Sequence, residues 1–220
     1  ILRELCALCE RYFLCFYTAP EGNDLYLTNP QIKLNLKPMS RTLKEKQTYE
    51  DYLKTPMGGK YQLIDGEIIE MTSPTPNHQN IVLTLAMLLK KFANESKSGR
   101  VFIAPLDIYL GPNETYQPDV FFISRERESI IGEKKIEGAP DLVIEVLSES
   151  TAYYDLKKKK AVYEKSGVSE YWIVDAEEKN IEIYENTNTN FQKVTLLEMG
   201  QSYTSKKLIG FILKPEEVFN

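Results

Sequence analysis

Glu145 stands in the middle of Leu142-Val143-Ile144-Glu145-Val146-Leu147, an acid inside an apolar run. In a strand, Leu142, Ile144 and Val146 would share one face and Val143 and Leu147 the other. Apolar residues on both sides mark a strand buried on both faces. An ionised carboxylate is costly there unless it is paired or bound to a metal; a structural salt bridge is the alternative to a metal site. Pro118-Asp119 supplies a second acid, on the strand face shared by Phe121 and Ile123. Alone, such a dipeptide fits a turn equally well. With Glu145 it offers two carboxylates on neighbouring strands. Mg²⁺ prefers oxygen ligands and keeps several waters, so one or two carboxylates and a substrate phosphate suffice to hold it; Mn²⁺ is the second candidate.

Downstream, Asp155, Lys159 and Tyr163 are spaced four apart, which puts them on one side of a helix. Leu156 and Tyr163 mark its packed stripe, close to Lys159 and Lys160. A run such as Lys157–Lys160 is ordinarily a solvated face, yet helix geometry turns at least one of these lysines toward the sheet. A lysine there could stabilise charge developing on a metal-held phosphate and help position the attacking water. His78 follows Pro76 at a helix start, where it suits phosphate contact or proton transfer, and equally a capping or core role. Glu67 and Asp107 are further candidates, with backbone capping or pairing to lysine as the alternative.

These residues need elements to hold them. Thr48-Tyr49-Glu50-Asp51 has the form of a capping box, predicting a short helix that stops at Pro56. Asp65-Gly66 between apolar runs predicts a hairpin of Tyr61–Ile64 with Glu67–Met71. A helix is predicted over residues 77–94, with Ile81, Leu85, Leu88, Leu89 and Phe92 at helical spacing. Strands are predicted over Val101–Leu110 and Tyr116–Ser124, joined by Gly111-Pro112-Asn113, then over Asp141–Leu147. A helix over Tyr153–Lys165 should end at Gly167. Strands over Tyr171–Val174 and Ile181–Tyr184 follow. Hairpin, helix, hairpin, strand, helix and hairpin in that order predict a mixed α/β or α+β domain.

Composition narrows the function. Lys and Arg number 27 against 32 Asp and Glu, a net charge of -5, which argues against coating nucleic acid through bulk charge. It leaves room for an enzyme holding DNA in a local basic groove beside metal-binding acids. No apolar stretch approaches the roughly 18 residues that span a bilayer. The cysteines, Cys6, Cys9 and Cys15, all lie in the first fifteen residues. The rest of the chain has no disulfide and suits a reducing cytoplasm. Cys6 and Cys9 form a CxxC pair, but a zinc site there has no evident fourth ligand. Residues 1–38 begin at Ile1 and read as an atypical extension, with the functional domain expected over 39–220 from Met39.

The ordered pieces Tyr61-Gln62-Leu63-Ile64-Asp65-Gly66-Glu67, His78-Gln79, Ala104-Pro105-Leu106-Asp107, Gln117-Pro118-Asp119 and Gly138 through Ser148 resemble the Uma-two family. The likeness continues through Asp155, Lys159, Tyr163, Gly167-Val168 and Glu170 through Asp175. The resemblance implies a restriction-endonuclease-like core, a central mixed sheet flanked by helices with acids at its active edge. Asp119 matches the Asp of a PD motif and Glu145 the acid of (D/E)xK, while Leu147 occupies the lysine position. Lys159, from the following helix, would substitute. The function so implied is Mg²⁺-dependent endonucleolytic hydrolysis of DNA, with a homodimer as the oligomeric expectation for cutting both strands. The alternative is a catalytically inactive nuclease-fold module binding DNA or protein. A third reading is a glycosidase using the two acids without a metal.

Overall fold

The computed structural model describes residues 45–56, 60–147, 158–187 and 190–219, together with two strands nearer the start of the chain. Contacts divide the chain into Ile1–Lys44 and Glu45–Asn220. The first unit holds an antiparallel pair, β1 (Cys15–Thr18) and β2 (Leu25–Thr28). Cys6, Cys9 and Met39 lie outside the described residues.

In the second unit the local signals act as their chemistry dictates. Thr48 N–H donates to Asp51 Oδ2 over 3.1 Å, closing the capping box that starts α1 (Tyr49–Tyr52). Asp65 and Gly66 take φ of 53° and 73°, the positive values a tight hairpin turn demands, and join β3 (Tyr61–Ile64) to β4 (Glu67–Glu70). Thr75 caps α2 (Pro76–Ser96), with Pro76 in the first turn, where its missing N–H costs nothing.

The two long strands predicted next do not form as such. Val101–Leu110 is divided between β5 (Gly99–Ile103) and β6 (Ile108–Gly111). Tyr116–Ser124 is divided between β7 (Glu114–Tyr116) and β8 (Val120–Ser124). Both breaks fall at a proline, Pro105 and Pro118. Proline has no N–H to give a ladder, and at each the chain passes from one sheet to another. One sheet has the order β4-β3-β7-β6-β9, with β9 at Ile136–Glu137. The other has six strands: β10 (Leu142–Val146), β11 (Glu170–Asp175), β12 (Asn180–Asn186) and β13 (Phe191–Leu197) join β8 and β5 in the order β13-β12-β11-β10-β8-β5. Within it only β10 and β11 run parallel. A parallel pair needs a crossover, and that crossover carries α3 (Lys160–Ser166), ended by Gly167 at φ 89°. The earlier part of the predicted helix, Asp155 included, lies outside the described residues.

The six-stranded sheet is the middle layer. On one face Ile81, Leu85 and Leu89 of α2 pack on Phe122, Ile144 and Trp172. The sequence reading names no element after Tyr184, yet Tyr203, Leu208, Phe211, Leu213 and Val218 complete this core from β14 (Tyr203–Thr204), β15 (Ile212–Leu213), α4 (Pro215–Val218) and their approaches. On the other face Phe121, Val143 and Tyr171 meet Ile64 and Tyr116 of the five-stranded sheet and Tyr163 of α3. All five residues of β10 are buried, as its two-faced apolar pattern requires. Among the described residues no helix is long and apolar enough to cross a membrane.

The entry to β10 is fixed by a second buried acid. Asp141 Oδ2 accepts the Ser124 N–H over 2.7 Å, and Lys207 Nζ lies 2.8 Å from its Oδ1. Burial pushes this carboxyl up, but the hydrogen bonds from Lys207 and Ser124 outweigh it and the net shift is downward. A depressed folded pKa stabilises above the unfolded value, about 3.9, and that stabilisation is lost as pH falls through the folded value. Asp141→Asn is therefore expected to cost about 1–3 kcal/mol near neutral pH, lowering Tm by roughly 4–10 °C. The gap should narrow in melts run below about pH 4, where wild type loses the same charge.

Candidate active site

The register of β8 and β10 determines which acids meet. Phe122 pairs with Leu142, Phe121 with Val143 and Val120 with Ile144. One step further, Asp119 stands opposite Glu145. Side chains alternate along a strand, so Asp119 and Glu145 share the face of Phe121 and Val143, toward the five-stranded sheet. They border a cavity of about 230 Å³ where that sheet meets the N-terminus of α2 and the Ala104-Pro105 crossing.

Glu145 is 2% exposed. Lys159 Nζ lies 2.9 Å from its Oε1, and the Tyr163 hydroxyl donates to the same oxygen over 2.8 Å. Lys159 and Tyr163 reach it from successive turns, the four-residue spacing read from the sequence. Of the lysine run, Lys159 turns inward, 1% exposed. Lys158 Nζ lies 3.8 Å from Glu67, and Lys160 sits over the Tyr184 ring at 3.6 Å. Tyr163 is held between Tyr116 and Tyr171, with ring centroids 5.3 and 5.4 Å away. Burial first, then the Glu145 charge, pushes its hydroxyl well above the ordinary phenol value. Tyr163 thus stays a hydrogen-bond donor at neutral pH and orients Glu145.

Asp119 Oδ2 accepts the Val146 N–H over 2.8 Å, closing the end of the β8–β10 ladder. His78 Nε2 lies 3.1 Å from the Val146 carbonyl and 3.3 Å from Asp119 Oδ2. Both neighbours are acceptors, so this nitrogen carries a hydrogen. His78 is in the first turn of α2, where its own N–H is capped by Thr75. The histidine and the Asp119 carboxylate therefore hold one another at the mouth of the cavity.

The remaining candidates stand further off. Glu67 is exposed beyond the hairpin turn, beside Lys158, and does not border the cavity. Asp107 sits behind the wall: its Oδ1 accepts from Tyr52 OH and from Gln117 Nε2, each at 2.8 Å. Gln117 borders the cavity, so Asp107 acts on the site by fixing a neighbour. Sequence reasoning passed over the neutral lining, above all Gln117 and Gln62. The available signal was strand alternation: Gln62 is two residues from Ile64 and so shares its buried face.

A family model described as "Putative restriction endonuclease", Uma2, matches residues 47–216. An uncharacterized protein of Synechocystis is 27% identical over 145 residues, covering 65% of this chain and 81% of its own length. A crystal structure of "a putative nuclease belonging to DUF820" from Anabaena variabilis matches with a TM-score of 0.67 at 21% identity, over 78% of this chain and 97% of that one. At that identity the structural likeness concerns the fold.

Proposed function

This chain belongs to the Uma2 family, and on that premise we propose that it is a divalent-metal-dependent endonuclease hydrolysing the phosphodiester bonds of DNA. The observation that carries the reading is that Asp119, one step beyond the Val120–Ile144 pair, and Glu145 border one cavity with buried Lys159. Two carboxylates repel a phosphodiester unless a cation stands between. Among the described residues no group of three or more His, Cys, Asp or Glu could hold a metal. Two carboxylates with the Val146 carbonyl beside them form an oxygen donor set. That set suits Mg²⁺ or Mn²⁺, ions that fill remaining positions with water and substrate oxygens.

Asp119 and Glu145 would hold the ion. When bound, it neutralises charge on the phosphoryl oxygens and lowers the pKa of water. Lys159, with Nζ 2.9 Å from Glu145, would offer positive charge where the phosphate gains negative charge. His78 and the Val146 N–H keep the Asp119 carboxylate turned to the cavity. The reaction adds water oxygen to phosphorus and breaks one P–O ester bond, the leaving alkoxide taking a proton from solvent.

Supercoiled plasmid should pass to nicked and linear forms in Mg²⁺ or Mn²⁺. EDTA should bring that conversion to background, and added Mg²⁺ should restore it. Cleavage undiminished by EDTA would exclude the metal-dependent reading, and an inert yet folded protein would favour a binding module.

A further inference from the structure

A residue outside the acid–lysine group faces the same cavity. Gln62 lies in β3, and alternation puts it on one face with Lys60 and Ile64. Ile64 is buried in the core shared by the two sheets, while Lys60 and Gln62 border the cavity with Asp119, Glu145 and Lys159. Gln62 is 4% exposed, and its Oε1 is buried with no hydrogen-bond partner among the described residues. The neighbouring carboxamide, Gln117, is by contrast anchored to Asp107 and Tyr52. A buried carbonyl oxygen without a donor lowers stability, and folded chains rarely carry one without use.

The chemistry of the missing partner is constrained. An amide oxygen only accepts. Phosphodiester oxygens and the two carboxylates also accept, so none of them can satisfy it. The donor that hydrolysis brings to this place is water. The cavity of about 230 Å³ has room for several waters at about 30 Å³ each. We propose that Gln62 positions the water that attacks phosphorus, its carboxamide oxygen accepting one of that water's hydrogens. This rests on the nuclease reading above. The terminal torsion of glutamine is broad and soft, so the oxygen can follow the water as substrate enters. As the O–P bond forms, one water proton goes to solvent and the leaving alkoxide takes another from solvent. Gln62 neither gains nor loses a proton; it sets direction.

Two variants of the full chain test this, read by plasmid nicking, Mn²⁺ calorimetry and melting. Gln62→Met keeps side-chain length and removes the acceptor. It should lower kcat about 10²-fold, with KM for DNA and Mn²⁺ affinity within about twofold of wild type. Its metal-free Tm should match or exceed wild type, because an unsatisfied polar atom has been removed. Gln62→Glu restores an acceptor and should recover most of the rate, with activity falling toward acid pH as the new carboxyl protonates. An unchanged kcat in Gln62→Met, a lower Tm, or weakened Mn²⁺ binding would each overturn the water-positioning role. Inert wild type is a different failure: it removes the nuclease reading and the Gln62 role with it.

Discussion

Glu145→Gln is expected to reduce single-turnover nicking by roughly 10³-fold or more, about 4 kcal/mol of transition-state stabilisation. The carboxamide has nearly the shape of the carboxylate and still presents an oxygen to Tyr163, whose hydroxyl donates over 2.8 Å. What it loses is charge, and charge is what holds a cation. Because Lys159 is also buried, 1% exposed, the variant takes away the carboxylate 2.9 Å from its ammonium and should melt several degrees below wild type. Far-ultraviolet circular dichroism separates the two effects. A folded variant without nicking is the expected outcome, whereas a folded variant retaining wild-type rate removes Glu145 from the chemistry.

Lys159→Met is expected to give the largest stability loss of any single substitution at the site. It removes the ammonium 2.9 Å from the Glu145 carboxylate, which is 2% exposed, and breaking a buried pair from one side costs about 3–5 kcal/mol. Over a domain of this size that lowers Tm by roughly 10 °C. The penalty belongs to the charge left in the buried strand more than to the pair. Glu145→Gln/Lys159→Met removes both charges, keeps an acceptor for Tyr163, and should regain most of the lost Tm. A double-mutant cycle by thermal melts measures the coupling. Additive losses would mean that Lys159 and Glu145 do not sustain one another. Activity should fail in the single and double variants alike, since stability is recoverable without the lysine and charge stabilisation is not.

The parts of this site that could be read from the sequence are those set by short-range periodicity. An acid in a strand apolar on both faces had to be buried, and Glu145 is. Lysine and tyrosine one helical turn apart had to reach the same place, and Lys159 and Tyr163 meet on one oxygen of Glu145. Asp65-Gly66 specified its hairpin because two consecutive positive φ values leave little choice of residue. Features set by long-range pairing were not legible. Periodicity cannot tell a continuous strand from one that changes sheets, so the breaks at Pro105 and Pro118 were missed although the prolines were in view. Those crossings put Ala104 and Gln117 around the cavity. Asp141 and Lys207, 66 positions apart in sequence, meet over 2.8 Å, and no local pattern announces such a pair. Asp107 and Glu67 carried the same kind of signal as Asp119, an acid near a strand, and only the register β8 makes with β10 distinguishes them.

Calorimetric titration of Mn²⁺ into the metal-free 220-residue chain, beside Asp119→Asn and Glu145→Gln, tests most directly whether these two acids are one metal centre. The expected result is saturable binding by wild type, and binding lost or weakened at least about tenfold in each variant while circular dichroism shows both folded, since each keeps one ligand but not the pair. Binding undiminished in both variants, or no binding by folded wild type, would contradict the account.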